Sequence, residues 1–172
     1  VYSVAPLPGI GIEKSILPSA IQEVSMEQVK DQAGVSIADY LVNNAAGVTV
    51  TEVGGNPWQP EIKFRGYTAG SIAGNEQGIS VYVDGVRENQ PFSDVVLWDT
   101  LPSFAYESAQ VVPGSNPIYG LNTLGGAVTF QTKSGRNFVG SNVLFTAGSW
   151  GRQLSLIEHG GNDDPIDDYP GY

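Results

Sequence analysis

The 172 residues contain one histidine, His159, and no cysteine. A histidine serves a hydrolytic triad only when a carboxylate orients it and a serine lies within reach. His159 sits beside Gly160-Gly161 at the end of a strand-like run. No G-x-S-x-G nucleophile elbow accompanies it, so it reads as a turn-side histidine and no catalytic residue is assigned. Asp163, Asp164, Asp167 and Asp168 lack the ligand spacing of a calcium loop and read as a solvated acidic run, with no metal site assigned. Gly120-Leu121-Asn122-Thr123-Leu124-Gly125-Gly126 lacks the Lys and Ser/Thr that follow the second glycine of a phosphate loop. It leads instead into Ala127-Val128, as a tight turn leading into a strand, and no cofactor is implied. Tyr67, Phe92 and Trp98 fall in two long polar stretches, Gly66–Gly78 and Gln90–Ser103. For these aromatics two readings stand open, local loop packing or a ligand-facing apolar surface.

The elements that must position such groups are strands and turns. Twenty-two Gly and eleven Pro are too many for a helical bundle. Hydrophobic residues make up 41% and charged ones 15%, which excludes a mostly disordered chain. A net charge of −10 opposes binding to phosphate backbones, so nucleic acid is not expected as a partner. No apolar run approaches the roughly 20 residues of a membrane-spanning helix. The absence of cysteine excludes disulfides and thiolate metal sites. Opening at Val1 with neither an initiator methionine nor a signal peptide, the sequence is expected to be a mature chain or an excised fragment.

Along the chain, residues 1–17 read as an extended lead segment, not a packed element, and Ala20–Val24 as a short strand. Ser25 with Gln28 marks a first helix that Gly34 stops. Ser36 with Asp39 marks a second, with Ile37, Tyr40 and Leu41 on its buried face and Ala46-Gly47 at its end. Val48–Val53, Glu61–Gly66, Ile79–Val83, Gln110–Val112 and Ala127–Thr132 read as strands. Asp84-Gly85, between two extended runs, is a hairpin turn, because both central residues need positive φ. Beyond Ser134-Gly135, two alternating segments flank the turn Gly148-Ser149-Trp150-Gly151, a pattern of outer-membrane barrel strands.

Taken in order, these pieces resemble the plug domain of TonB-dependent outer-membrane receptors. Ile37-Ala38-Asp39-Tyr40-Leu41 through Ala46-Gly47-Val48-Thr49-Val50 resembles the family's dLLrnvPGVtV stretch, and Phe64-Arg65-Gly66-Tyr67 its iRGf. Val81-Tyr82-Val83-Asp84-Gly85-Val86 resembles vlvDGv. Pro113-Gly114 to Tyr119-Gly120, then Gly125-Gly126-Ala127-Val128 and Thr132-Lys133, resembles the closing GP…YGsgAlGGvInivTk. The resemblance covers about 21–135. The sequence departs from it at Ser108, Gln110 and Pro113, where charged residues are common, and at Ala46, where the family has Pro.

The resemblance implies an α+β fold: a small mixed four-stranded sheet with two or more short helices and long apical loops, followed by a β-hairpin from a truncated barrel. It divides the chain into an extended segment at 1–19, a plug at 20–135, and first barrel strands with an acidic tail at 136–172. Such strands leave open edges, so in isolation 139–159 is expected to pair with another copy, fold back on the plug, or be poorly ordered. The implied role is the gate of an active transporter in the cell outer membrane. The plug would sit in the lumen of a barrel of about 22 strands with its N-terminus in the periplasm, and the gene would continue past Tyr172. The implied partners are that barrel, the TonB C-terminal domain and a small-molecule substrate, by default a ferric siderophore. Val1, Tyr2, Ser3, Val4 and Ala5 lie where a TonB box lies or ends; a frayed terminus is the other reading. Arg65, Tyr67, Gln90, Phe92 and Ser93 are the apical-loop candidates for substrate contact. Arg65 and Glu107 are candidates for latching plug to barrel, with a buried Arg65–Glu107 or Arg65–wall ion pair ranked above ligand contact for Arg65. Asp84, Gly85, Gly114, Gly120, Gly125 and Gly126 are assigned to turns and close packing. The alternative is a soluble periplasmic binding or signalling module without its own pore.

Overall fold

The structure, a computed structural model, describes residues 4–5, 12–13, 21–25, 36–115, 117–136 and 138–162. The first expected helix, at Ser25–Gly34, the residues Val1, Tyr2 and Ser3, and the acidic tail from Asp163 lie outside them. Two compact units divide the chain, Val1–Thr132 and Lys133–Tyr172.

In the first unit, β1 (Val4–Ala5) pairs antiparallel with β2 (Ile12–Glu13). Within the lead segment, two extended dipeptides thus satisfy backbone groups on each other. β3 (Gln22–Ser25) follows, then α1 (Ile37–Asn44). Helix α1 starts as its sequence predicts: the Ser36 backbone N–H donates to the Asp39 carboxylate at 3.0 Å. Ile37 and Leu41 are buried and Tyr40 is half-buried. After the helix, the Ala46 N–H donates to Gln22 Oε1 at 2.6 Å, and Gln22 Nε2 donates back to the Ala46 carbonyl at 3.0 Å. A proline at this position has no N–H to give. The departure from the family pattern at Ala46 therefore matches a contact that β3 makes to the turn.

Strands β4 (Val48–Glu52), β5 (Pro60–Phe64) and β6 (Tyr67–Gly70) form an antiparallel sheet. The expected loop at Gly66–Gly78 therefore begins with a strand. Arg65 and Gly66, both at positive φ (53° and 83°), make the two-residue turn that reverses β5 into β6. A second sheet contains β7 (Ile79–Val83), β8 (Val86–Arg87), β9 (Tyr106–Pro113) and β10 (Gly126–Thr132) together with β3, in the order β3-β9-β10-β7-β8. It is mixed, as the resemblance implies, with five strands where four were expected; the fifth, β8, has two residues. β10 runs parallel to β7 and antiparallel to β9. Asp84 and Gly85, at φ 48° and 82°, turn β7 into β8. The Asp84 carboxylate also accepts from the Thr132 N–H at 2.9 Å and the Thr132 hydroxyl at 2.6 Å, tying the turn to the end of β10.

The register gives the mixed sheet two unlike faces. Val24, Ala109, Val111, Val128, Phe130, Ile79 and Val81 share the core with α1, Ile62, Phe64 and Ala69. Trp98 from the long loop closes this core, edge-on to Phe130 at 6.4 Å, with its Nε1–H on the Ala69 carbonyl at 3.1 Å. The opposite face mixes buried polar groups, Ser80, Gln110 and Thr129, with a smaller apolar cluster of Val112, Ala127 and Tyr119. Gln110 Oε1 and Thr129 Oγ1 are buried there without a hydrogen-bond partner among the described residues.

In the second unit, β11 (Gly140–Ala147) and β12 (Gln153–Gly160) pair antiparallel over eight positions. Val143, Phe145 and Ile157 fall on one exposed face. On the other, Asn142 Nδ2 donates to Glu158 at 3.2 Å, and Lys133 Nζ bonds the same carboxylate at 2.7 Å. Ser141 and His159 are cross-strand partners, with the hydroxyl 2.9 Å from Nδ1.

Gly126 combines a φ of 142° with a hypothetical Cβ only 2.2 Å from the Val112 carbonyl oxygen, whereas Gly66, at φ 83°, has open space there. Gly66→Ala is expected to cost about 1 kcal/mol and Gly126→Ala at least about 3 kcal/mol, read from urea unfolding of the full chain. Burial raises the Tyr106 hydroxyl to about 12, helped by Glu88 and Asp84, and burial also raises Tyr40, Tyr82 and Tyr119. Above pH 10 the unfolded chain releases phenolic protons that the folded chain still holds, so stability is expected to fall as pH rises from 10 toward 12. Tyr106→Phe should flatten that fall in urea midpoints taken across the range.

Candidate functional site

β7 and β10 begin at the same end of the sheet, and four connections meet there. The turn at Arg65-Gly66 arrives beside the start of β7, where the Gly78 N–H donates to the Thr68 carbonyl at 3.0 Å. The Gly125 N–H donates to the Gly78 carbonyl at 2.9 Å, which brings the turn before β10 alongside. The Tyr67 ring and Cβ occupy the space that a side chain at Gly78 or Gly125 would need. Because β8 runs back along β7, the chain leaving it also returns to this end.

A buried amide fixes that return. Asn89 Oδ1 accepts from the Val81 N–H at 2.7 Å, and Nδ2 donates to the carbonyls of Ile79 and Asp94, both at 3.1 Å. Asn89 thereby continues the hydrogen bonding of β8 with a side chain and shapes the loop that follows. In that loop Ser93 and Asp94 both take positive φ, 61° and 55°. The Asp94 carboxylate meets the Arg87 guanidinium at 3.0 Å and accepts from Asn122 Nδ2 at 2.5 Å. One carboxylate therefore ties the loop after β8 to the turn before β10. Beneath them, the Tyr82 hydroxyl donates to the Tyr119 carbonyl at 2.5 Å, and Ser80 Oγ lies 2.6 Å from Thr123 Oγ1. Burial raises both tyrosines; the Arg87 charge opposes this for Tyr82.

The loops enclose an open polar cup of about 590 Å³, lined by Gly66, Tyr67, Asn75, Glu76, Gln77, Pro91, Ser93, Asp94, Asn122 and Leu124. Of the apical-loop candidates, Tyr67 and Ser93 line it. Phe92, 81% exposed, sits between two lining residues, and Leu124 adds an exposed apolar group. Gln90 is exposed and its backbone N–H is spent on the Val95 carbonyl at 2.8 Å. Arg65 is exposed and is not among the lining residues; its guanidinium lies 5.6 Å from the Phe64 ring centroid. Glu107 belongs to the opposite end of the sheet, where β9 begins and β10 ends. The six steps along β9 from Glu107 to Pro113, about 20 Å at ~3.3 Å per residue, separate it from the cup end. An Arg65–Glu107 pair is therefore not formed, because the register places these residues at different ends. Gly114 and Gly120 take positive φ, 94° and 78°. Trp98 is buried in the core, which resolves it as packing.

Residue reasoning missed Asn75, Glu76, Gln77, Asn89, Asp94 and Asn122. The consecutive Asn75-Glu76-Gln77 in a long loop was a signal; Asn122 was hidden in a stretch assigned wholly to a turn. No group of His, Cys, Asp and Glu among the described residues is arranged to hold a metal ion.

A family model described as the TonB-dependent Receptor Plug Domain matches residues 13–127. Solved structures share the fold. The siderophore receptor PiuA from Acinetobacter baumannii is 25% identical, with a TM-score of 0.58, and the match covers 81% of this chain and 18% of PiuA. The ferric yersiniabactin uptake receptor FyuA from Yersinia pestis is 22% identical, TM-score 0.58, over 87% of this chain and 22% of that one. The alcaligin outer-membrane receptor FauA from Bordetella pertussis is 19% identical, TM-score 0.60, over 91% and 26%. The chain thus spans about a quarter or less of the length of these receptors. No curated protein sequence matches it.

Asn89→Ala is expected to destabilise the chain by about 2–4 kcal/mol, because it leaves one buried N–H and two carbonyls unpaired. Hydrogen exchange should then rise first at Val81 and across 90–96, with β9 protected longer.

Proposed function

The chain belongs to the TonB-dependent receptor plug family, and from that premise we propose that it is the gate of an active transporter in the outer membrane. The observation that carries this reading is the convergence of four loops on one cup in a chain whose residues 13–127 match the plug family. In this reading a barrel surrounds the plug, and the cup forms the plug's share of a binding site completed by the barrel wall. Tyr67, Ser93 and Phe92 contact a small-molecule substrate there, with Gln90 beside them. A ferric siderophore is the proposed substrate, in keeping with the siderophore receptors that share the fold. Arg65 and Glu107, at opposite ends of the sheet, each latch to the wall separately. The chain binds and gates, and no covalent step is assigned to it.

Energy arrives at the other terminus. Val1–Ala5 is the segment proposed for capture by TonB in the periplasm, by strand addition to a sheet edge. The pairing of Val4–Ala5 with Ile12–Glu13 supports an extended backbone able to pair, and capture exchanges one ladder for another. A pull on the N-terminus reaches β3, which is an edge strand held through four register pairs to β9. The edge is where a sheet loses a strand while breaking one ladder only.

In the full-length receptor, deletion of residues 1–5 is expected to abolish energised uptake and leave equilibrium binding unchanged. Phe92→Ala is expected to weaken ferric-siderophore binding about tenfold, the loss of one aromatic contact. Uptake that survives the deletion counts against the TonB assignment, and unchanged binding by the Phe92 variant counts against the cup.

A further inference from the structure

Resting on the transport reading, we infer that this chain's part of the site favours neutral or cationic ferric chelates of the hydroxamate class over polyanionic ones of the catecholate class. The charge of the cup carries the inference. Its lining holds two carboxylates, Glu76 and Asp94, three side-chain amides, Asn75, Gln77 and Asn122, and no Lys or Arg. The adjoining depression, about 480 Å³, shares Asn75 and Glu76 and adds Lys63, whose Nζ lies 3.9 Å from Glu61. Arg87, the cation nearest Asp94, is engaged with it at 3.0 Å. Arg65, at the neighbouring turn, stacks on Phe64. Glu76 is exposed and makes no ion pair among the described residues, so its charge stands open to a ligand.

The two chelate classes differ in charge for a simple reason. A catecholate carries two negative charges and a hydroxamate one, so three catecholates on ferric iron leave a trianion and three hydroxamates a neutral complex. A trianion a few ångströms from an unpaired carboxylate is repelled three times as strongly as a monoanion, on the order of tenfold in affinity even at a water-like dielectric with salt. Hydroxamate chelates also present amide-like oxygens and methylene linkers. These match the Asn75 amide and the exposed Leu124 of the lining, with the exposed Phe92 between the lining residues Pro91 and Ser93.

The test is a titration of the purified full-length receptor, followed by quenching of intrinsic fluorescence. The probes are a neutral ferric trihydroxamate, a monocationic one and a trianionic ferric tris-catecholate, each with wild type, Glu76→Gln and Glu76→Lys. Glu76 is exposed, so these variants keep the fold. The expected result is that wild type binds both hydroxamates at least about tenfold more tightly than the catecholate. Glu76→Gln should narrow that ratio about tenfold and Glu76→Lys about a hundredfold. Wild type binding the trianion as tightly as the hydroxamates overturns the inference and leaves the transport reading standing. So does a ratio that Glu76→Lys does not move. Binding of none of the three probes overturns the inference together with the iron-chelate reading.

Discussion

The pairing of β10 with β7 is the constraint on which the first unit depends. The two strands are parallel, from Gly126 beside Ile79 to Phe130 beside Val83. Parallel neighbours cannot be joined by a tight turn, so the chain must travel from one end of the sheet back to the other before β10 can start. That journey contains β8, the loop with Trp98, β9 and the glycine-rich turn. Each return delivers a loop to the end where both strands begin, so the cup is a consequence of the strand order. Gly126 makes the pairing possible at its first position, where the Val112 carbonyl leaves no room for a Cβ. The same strand carries Phe130, against which Trp98 and Tyr106 pack, so topology and core meet on one segment.

The loops are long and still defined because side chains take over where strands stop. β8 ends after two residues, and the Asn89 amide then completes the hydrogen bonds that a longer strand would have made. Asp94 does the corresponding work between loops, with Arg87 on one side and Asn122 on the other. The Asn89 lock is the expensive one to break, because its amide is buried, whereas Arg87, Asp94 and Asn122 stay partly in water. These locks also suit a surface that meets ligand, since they hold backbone in left-handed conformations at Ser93 and Asp94 that local preference alone disfavours.

The second unit follows a different rule. Its two strands have apolar residues on an exposed face, Val143, Phe145 and Ile157, and a charged network with Lys133, Asn142 and Glu158 on the other. A two-stranded ribbon has no core of its own and is marginal in water without further strands. The separation of the faces is partial: Leu144, Leu154 and Leu156 share the face of Asn142 and Glu158, while Ser141, Gln153, Ser155 and His159 share that of Phe145.

The sequence by itself determined the local features, because their causes are local. Ser36 with Asp39 starts α1, Asp84-Gly85 turns a hairpin, and alternating residues make the strands of both units. The ordered blocks from Ile37 to Lys133 also named the family that the match over residues 13–127 shows. Two features were not legible locally. The stretch expected as a loop from Gly66 begins with a strand, because Arg65-Gly66 closes a hairpin, and the strand ends that carry Arg65 and Glu107 are set by pairing with distant segments. Only the tertiary structure decided that Trp98 is core while Phe92 is surface, though both are aromatics of one loop. It alone decided that Glu76, Asp94 and Asn122 share one cup, because strand order and register bring together residues that lie far apart in sequence, and no local pattern carries that information.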